Sequence, residues 1–399
     1  MNIEKQIKKL YLFQCVNALN ITDAVWVLFL LSRGFTLAEI GIAEGFFHLV
    51  SFLCEVPGGA AADLLGRKRA MVAAGISSMI SALLMAFSTN FAWVCASMGF
   101  SALGYNLLSG TLQALTYDSL LIAGQADRYV KVSAVQNTIY RIVQALSGIS
   151  SLIAVTLGYM GAYLVTALLA MASATTALSL VEALATQAQK HRQLNPFDNL
   201  SGRLQQQIHA SKAFFIHRPR TVCMMIADCS VACIAYLTYM LLQQHLVAIG
   251  VPKAIVGLPI LLIQLAGAFG VAVAARLKNS FFKIALGCAM GAGLGTFFAG
   301  SSILPLAVAG AALTEAMDGA IDLQTDNHLN QGFPSDQRAT LVSTNSMLYS
   351  LMMILASPAV GWICSILSVT VGLAVLGVTL ALSALVFGTI YRGINVKRC

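Results

Sequence analysis

Four carboxylates stand in one apolar stretch of this chain, at Glu315, Asp318, Asp322 and Asp326. On an α-helix, at about 100° per residue, their spacing holds them within an arc of roughly 80°, a single acidic stripe beside Gly319. Like charges this close cannot all stay ionised away from water. Carboxyls that change protonation in the working range are what a proton carrier requires. A second stripe, Glu44, His48, Ser51 and Glu55, falls within about 60° on another apolar run. Glu44 and His48 are an i,i+4 pair able to share a proton, or equally to satisfy one another at a helix interface. Glu55, just before Pro57, suits gating or packing. Asp23, beside Asn17 and Asn20, together with Asp228 and Arg141, supplies single charges in apolar surroundings. An unpaired guanidinium there is costly, so Arg141 should meet Asp23, Asp118 or an anionic group on a substrate. For proton coupling or contact with a cationic substrate group, Asp23 and Asp318 come first, then Asp322 and Asp228.

The elements that carry these residues are membrane helices. With 58% hydrophobic and 10% charged residues and a mean hydropathy of +0.79, the 399-residue chain is far more apolar than a soluble domain. Twelve segments of spanning length are predicted, near 10–32, 37–61, 70–89, 92–122, 132–157, 161–183, 221–247, 251–275, 280–300, 304–331, 340–366 and 369–391. The fold class is therefore an all-α polytopic membrane protein. Of 24 Lys and Arg, 21 then fall on one side with both termini, Arg33 and Lys253 on the other, and Arg141 inside a helix. The positive-inside rule makes the basic side cytoplasmic. It also accounts for a pI near 9.1 without nucleic acid as a partner. The first apolar run is too long and too polar for a cleavable signal. The nine cysteines contain no C-x-x-C pair, so neither a disulfide framework nor a metal site is expected, and no cofactor.

The chain repeats itself weakly. A shift of 208 superposes Asp118 on Asp326, Gly124 on Gly332 and Asn137 on Asn345, and a shift of 216 pairs Gly34 with Gly250 and Gly41 with Gly257. Both relate the same ordinal helices of two six-helix halves, 1–183 and 221–399. Between them, 184–220 is a basic, partly amphipathic stretch expected to lie on the cytoplasmic membrane surface. In segment 7, Tyr236, Tyr239 and Gln243 are candidates to line a cavity. Gly287, Gly291 and Gly295, at four-residue spacing, suggest close helix packing.

Residues 59–68 read G-A-A-A-D-L-L-G-R-K and join two apolar runs. They resemble the loop signature of the major facilitator superfamily, G-x-x-x-D-[RK]-x-G-[RK]-[RK], with Gly59, Asp63, Gly66, Arg67 and Lys68 matching and Leu64 departing. The resemblance implies twelve transmembrane helices in two six-helix pseudo-repeats and a substrate path between the halves. It also implies that Arg67 pairs with Asp118 at the end of the fourth helix, that Asp63 caps the eleventh, and that together they latch one conformational state. The acid-bearing helices and the loop are similar to those of the drug-efflux branch, tetracycline exporters included, which implies proton antiport of amphipathic drugs. The run from Ser147 to Ile153 lacks that branch's Gly-Pro-rich motif, so a proton-coupled importer of a small polar nutrient is the alternative. No catalytic motif or nucleotide-binding loop is present, which argues against an enzyme and against ATP-driven transport; a sensor or intramembrane enzyme is the remote reading. The expected partners are a small-molecule substrate, protons and the lipid bilayer of a cell membrane, a bacterial inner or plasma membrane, with the chain working as a monomer.

Overall fold

The computed structural model describes residues 2–147, 150–183, 218–277, 281–332 and 335–396, whose regular structure is helical throughout. The helices are α1 (Ile3–Ala18), α2 (Trp26–Ser32), α3 (Leu37–Leu65), α4 (Arg67–Ala86), α5 (Phe91–Leu108), α6 (Thr111–Ile122), α7 (Tyr129–Ser147) and α8 (Ser150–Leu178). They continue as α9 (Pro219–Ala248), α10 (Gly257–Ala274), α11 (Phe281–Ala299), α12 (Leu304–Gly332), α13 (Ser335–Ile366) and α14 (Val369–Val396). The greater part of the basic stretch 184–220 lies outside the described residues.

Among the described residues, ten helical stretches are long and apolar enough to span a bilayer. Two of the twelve expected segments, 10–32 and 132–157, are not among them; residues 148–149 of the second lie outside the described ones. The first is interrupted: α1 ends at Ala18 and α2 begins at Trp26, leaving residues 19–25 out of helical conformation around Asn20, Thr22 and Asp23. The described first part of the second, in α7, carries Gln136, Asn137, Thr138, Arg141 and Gln144.

Local sequence explains the helix ends. Thr36 and Glu39 form a reciprocal capping box at the start of α3: Thr36 N–H donates to Glu39 Oε2 at 2.8 Å and Glu39 N–H to Thr36 Oγ1 at 3.2 Å. Asn90 accepts from the Trp93 N–H and opens α5. Gly34 and Gly250, paired by the repeat, close α2 and α9 in the same way. Both have positive φ (88° and 104°), and the residue after each donates back to a carbonyl five positions earlier, Phe35 to Leu30 and Val251 to Leu246.

By contacts the chain forms two units, Met1–Asp23 with Leu49–Gln206, and Ala24–His48 with Gln207–Cys399. The core of the first joins Leu10 and Phe13 of α1 to Met71, Leu112, Leu115 and Leu180. In the second, glycines let backbones meet. A Cβ on Gly295 of α11 would lie 2.6 Å from the Gly310 carbonyl of α12, and one on Gly45 of α3 would lie 2.9 Å from the Pro358 ring of α13. Such approaches supply the dispersion contacts that hold helices together where lipid removes the hydrophobic drive.

Candidate transport site and latch

In the first unit the signature region is nearly all helix. The helix α3 runs through Pro57 to Leu65, and Gly66 alone, at φ 96°, separates it from α4. Arg67 then stands at the first position of α4, where its guanidinium forms an ion pair with Asp118 of α6 and donates to the Ala114 carbonyl at 2.7 Å. Asp118 is buried. The side chains of residues 59–65 lie outside the described ones, so the part expected of Gly59 and Asp63 is not addressed; Lys68 contributes its backbone N–H.

That N–H leads to a residue the sequence reasoning missed. Gly66 has no side chain to cap α4, and Glu182, beyond the end of α8, takes over: its carboxylate accepts from the N–H groups of Arg67 at 3.0 Å and Lys68 at 2.9 Å. An anion at this position also meets the positive end of the helix dipole. Glu182 is itself held. Buried Gln6 of α1 accepts from the Val181 N–H at 3.1 Å and donates to the Val181 carbonyl at 2.9 Å, while Lys9 donates to the Ser179 carbonyl. The available signal was that Glu182 is the sole acid of the sixth predicted segment and sits at its basic end.

Deeper in the same unit lies a polar group built around the break after α1. Ser173 of α8 donates to Asn17 Oδ1 at 3.2 Å. Asn20 Oδ1 accepts from both the N–H and the hydroxyl of Thr22, so the unwound turn is stabilised by its own side chain. Tyr163 hydrogen-bonds with Thr22 and is within electrostatic reach of Asp23. Tyr140 of α7 is within reach of both Asp23 and Arg141. Asp118 is engaged by Arg67, and Arg141 is exposed and forms no ion pair or hydrogen bond among the described residues.

The second unit gathers the acids. Asp228 of α9 is buried and accepts from Asn345 Nδ2 of α13 at 3.3 Å, and Asn345 is oriented by accepting from the Cys229 thiol at 3.3 Å. Asp322 and Asp326 of α12 act electrostatically on Asp228; Asp318 is in turn influenced by Glu315, Asp322 and Asp228, and its Oδ1 is enclosed with no partner. The stripe is therefore graded. Glu315 packs toward α10, where a Cβ on Gly267 would lie 2.9 Å from its Cγ, Asp318 is half-buried, and Asp322 and Asp326 are exposed. Glu44 and His48 are both buried, 3.3 Å apart, with the His48 ring edge-on to Tyr349 of α13. Tyr236 and Tyr239 lie with ring centroids 6.3 Å apart. Gln243 is fully buried, and its carbonyl oxygen accepts from the Val27 N–H at 3.2 Å, capping α2.

Helices of spanning length, a broken polar helix and buried carboxylates on neighbouring elements define a polytopic membrane transporter. The sequence profile of the Major Facilitator Superfamily matches residues 11–321, and the chain belongs to that superfamily. No curated protein sequence matches it. Solved structures share the fold. A crystal structure of the nucleoside transporter NupG aligns with a TM-score of 0.75 at 15% identity, covering 98% of this chain and 99% of that one. A mutant of NupG gives 0.77 at 15% identity with the same coverage. A POT family transporter in complex with 5-aminolevulinic acid gives 0.72 at 12% identity, covering 98% and 96%. At such identities the likeness concerns the fold alone.

Proposed function

We propose that the protein is a proton-coupled secondary transporter working by alternating access, and that it exports amphipathic, ionisable drugs of which tetracyclines are the first class to test. The observation that carries the proton coupling is the meeting of Asp228 with the α12 acids, where the enclosed Asp318 oxygen has no partner. A carboxylate in that position is costly when ionised, and protonation relieves the cost. Asp228 is buried beside the same acids, and its Asn345 donor offsets only part of the cost of charge there. Two carboxyls enclosed on neighbouring helices, neither favoured in the charged form, are suited to exchange a proton as those helices move.

The Arg67 and Asp118 pair, with Glu182 behind it, serves as the latch of one state. Gly45, which meets Pro358 closely, directly follows Glu44, so the Glu44 and His48 pair stands where α3 meets α13. Import of a small polar nutrient is the second reading, favoured by the missing Gly-Pro run between Ser147 and Ile153. Expression in a drug-sensitive bacterium separates the two. Export lowers intracellular tetracycline, and an uncoupler abolishes the effect. Unchanged drug accumulation together with uptake of a sugar or organic acid replaces export by import.

A further inference from the structure

Three buried threonines, Thr116, Thr238 and Thr314, each donate the side-chain hydroxyl to the carbonyl four residues back on their own helix, at 2.8, 2.7 and 3.2 Å. Thr325 of α12 does not. It is 1% exposed, and its Oγ1 is enclosed with no hydrogen-bond partner. Forgoing the helix carbonyl in an apolar interior is costly, because no water is there to replace it. What the side chain reaches instead is the Asp228 carboxylate of α9, beside which it stands without closing a hydrogen bond. A hydroxyl so placed can turn to donate toward the carboxylate and still accept from a ligand.

Its surroundings are acidic. At about 100° per residue, Asp318, Asp322 and Thr325 share an arc of roughly 60° on α12. The charged groups that act on Asp228 are Asp322 and Asp326, and those that act on Asp318 are Glu315, Asp322 and Asp228. There is no Lys or Arg in α12, and none in α9 after Arg220. Among the described residues, the hydrogen bond that reaches Asp228 comes from Asn345, at 3.3 Å. A proton answers the charge on a carboxyl and leaves the Thr325 oxygen as it stands. A ligand carrying both a positive charge and an N–H donor answers the two together.

Two further observations narrow the ligand. Among the described residues no three His, Cys, Asp or Glu side chains are placed to hold a metal ion, which favours an organic cation. Asp318 is seven residues from Thr325, about 10 Å along the helix, so one ammonium group cannot touch both, whereas Asp322 is about 4.5 Å away by the same measure. We infer that Asp228 and Thr325, with exposed Asp322 at the rim, form the seat of a substrate ammonium group, the Asp228 carboxylate meeting its charge and Thr325 Oγ1 accepting one of its N–H bonds. The inference rests on the proton-coupled reading above and gives it a division of labour. With the proton on Asp318, Asp228 is ionised and holds the ammonium group. When the proton passes to Asp228, the seat loses its charge and the group leaves. The substrate class is then amphipathic amines with at least one N–H on the charged nitrogen. Quaternary ammonium ions have no donor for Thr325 and are disfavoured.

The test uses four compounds on one frame: 4-phenylbutylamine, its N,N,N-trimethyl ammonium analogue, 4-phenylbutanol and 4-phenylbutyrate. Binding of each to the purified full-length protein in detergent is measured by thermal stabilisation over a concentration series, for the natural sequence, Thr325→Val, Thr325→Ser and Asp228→Asn. The amine should bind about tenfold or more tightly than the trimethyl ion, the worth of one charge-assisted hydrogen bond, and the trimethyl ion more tightly than the alcohol or the anion. Thr325→Val should erase the preference for the amine over the trimethyl ion while leaving the trimethyl ion unchanged, and Thr325→Ser should keep that preference. Asp228→Asn should erase the preference of either cation over the alcohol; if that variant does not fold, the two Thr325 variants decide alone. Alcohol or anion binding as tightly as the amine, an amine preference untouched by Thr325→Val, or no binding by any of the four overturns the inference. Tetracycline counterflow in proteoliposomes, with the amine as competitor, tests the transport reading separately. Its absence beside the expected binding pattern removes drug export and leaves the ammonium seat standing, and counterflow indifferent to all four compounds overturns the seat and leaves export standing.

Discussion

Arg67 performs two tasks from one position: its backbone N–H receives the Glu182 carboxylate and its side chain reaches Asp118. The second partnership was reached through the resemblance of residues 59–68 to a family loop signature, a contiguous motif that a sequence displays directly. Glu182 was not legible, because its partners are peptide N–H groups 114 and 115 positions away, which no side-chain pattern reveals. Removing the pair with Arg67→Ala or Asp118→Asn should abolish most transport while protein still reaches the membrane, and exchanging the two charges should restore part of it. Near-normal transport in both single variants removes the pair from the mechanism. For Glu182→Ala, the lost cap and charge-assisted hydrogen bonds predict a stability loss of about 1–2 kcal/mol. Glu182→Gln, which keeps an acceptor, should recover part of the loss in thermal unfolding in detergent, and an equal loss in both variants would show that the cap is not what Glu182 provides.

Helices reveal what periodicity can and cannot carry. The run of Gly287, Gly291 and Gly295 reads as one packing stripe, yet its members differ in surroundings. A Cβ on Gly287 meets nothing within 4 Å, one on Gly291 would lie 2.9 Å from the Met317 sulfur, and one on Gly295 would lie 2.6 Å from the Gly310 carbonyl. Gly287→Ala should therefore be neutral or stabilising by up to about 1 kcal/mol from helix propensity. Gly295→Ala should cost about 1–3 kcal/mol through overpacking against backbone. Thermal unfolding that ranks the two alike would contradict this crossing. The break between α1 and α2 was likewise invisible to hydropathy, since residues 19–25 are as apolar as their neighbours apart from Asn20, Thr22 and Asp23. At the start of α1, Glu4 is held below the usual carboxylate range, first by its hydrogen bond to Arg128 and then by that residue's charge. A depressed carboxyl contributes above its unfolded value and loses that contribution as pH falls through the lowered folded one. Exchange protection at the start of α1, corrected for intrinsic rates, should thus hold at neutral pH and fall only below the ordinary glutamate value of about 4.3.

For the whole molecule, composition and the loop signature were enough to reach the superfamily, because membrane helices announce themselves by apolar length and the signature is contiguous. The assignment of contacts was not readable in the same way. The chain passes from one unit to the other between Asp23 and Ala24, inside the unwound stretch, and back between His48 and Leu49, so the first two predicted segments are shared between units. Proton-coupling candidates thus stand where the chain changes allegiance, and a charge change at Asp23 falls on a backbone free of helical restraint. The positive-inside rule applied to the basic loops predicts that cysteines placed at 190–215 label only from the cytoplasm, and labelling from outside would overturn that orientation. The most direct test of proton coupling compares gradient-driven uptake with counterflow in proteoliposomes, for the natural sequence, Asp23→Asn and Asp318→Asn, with a solute established as a substrate. At least one of the two amides should abolish accumulation driven by an imposed pH gradient while counterflow continues at a measurable rate. Full gradient-driven accumulation by both variants would contradict the account.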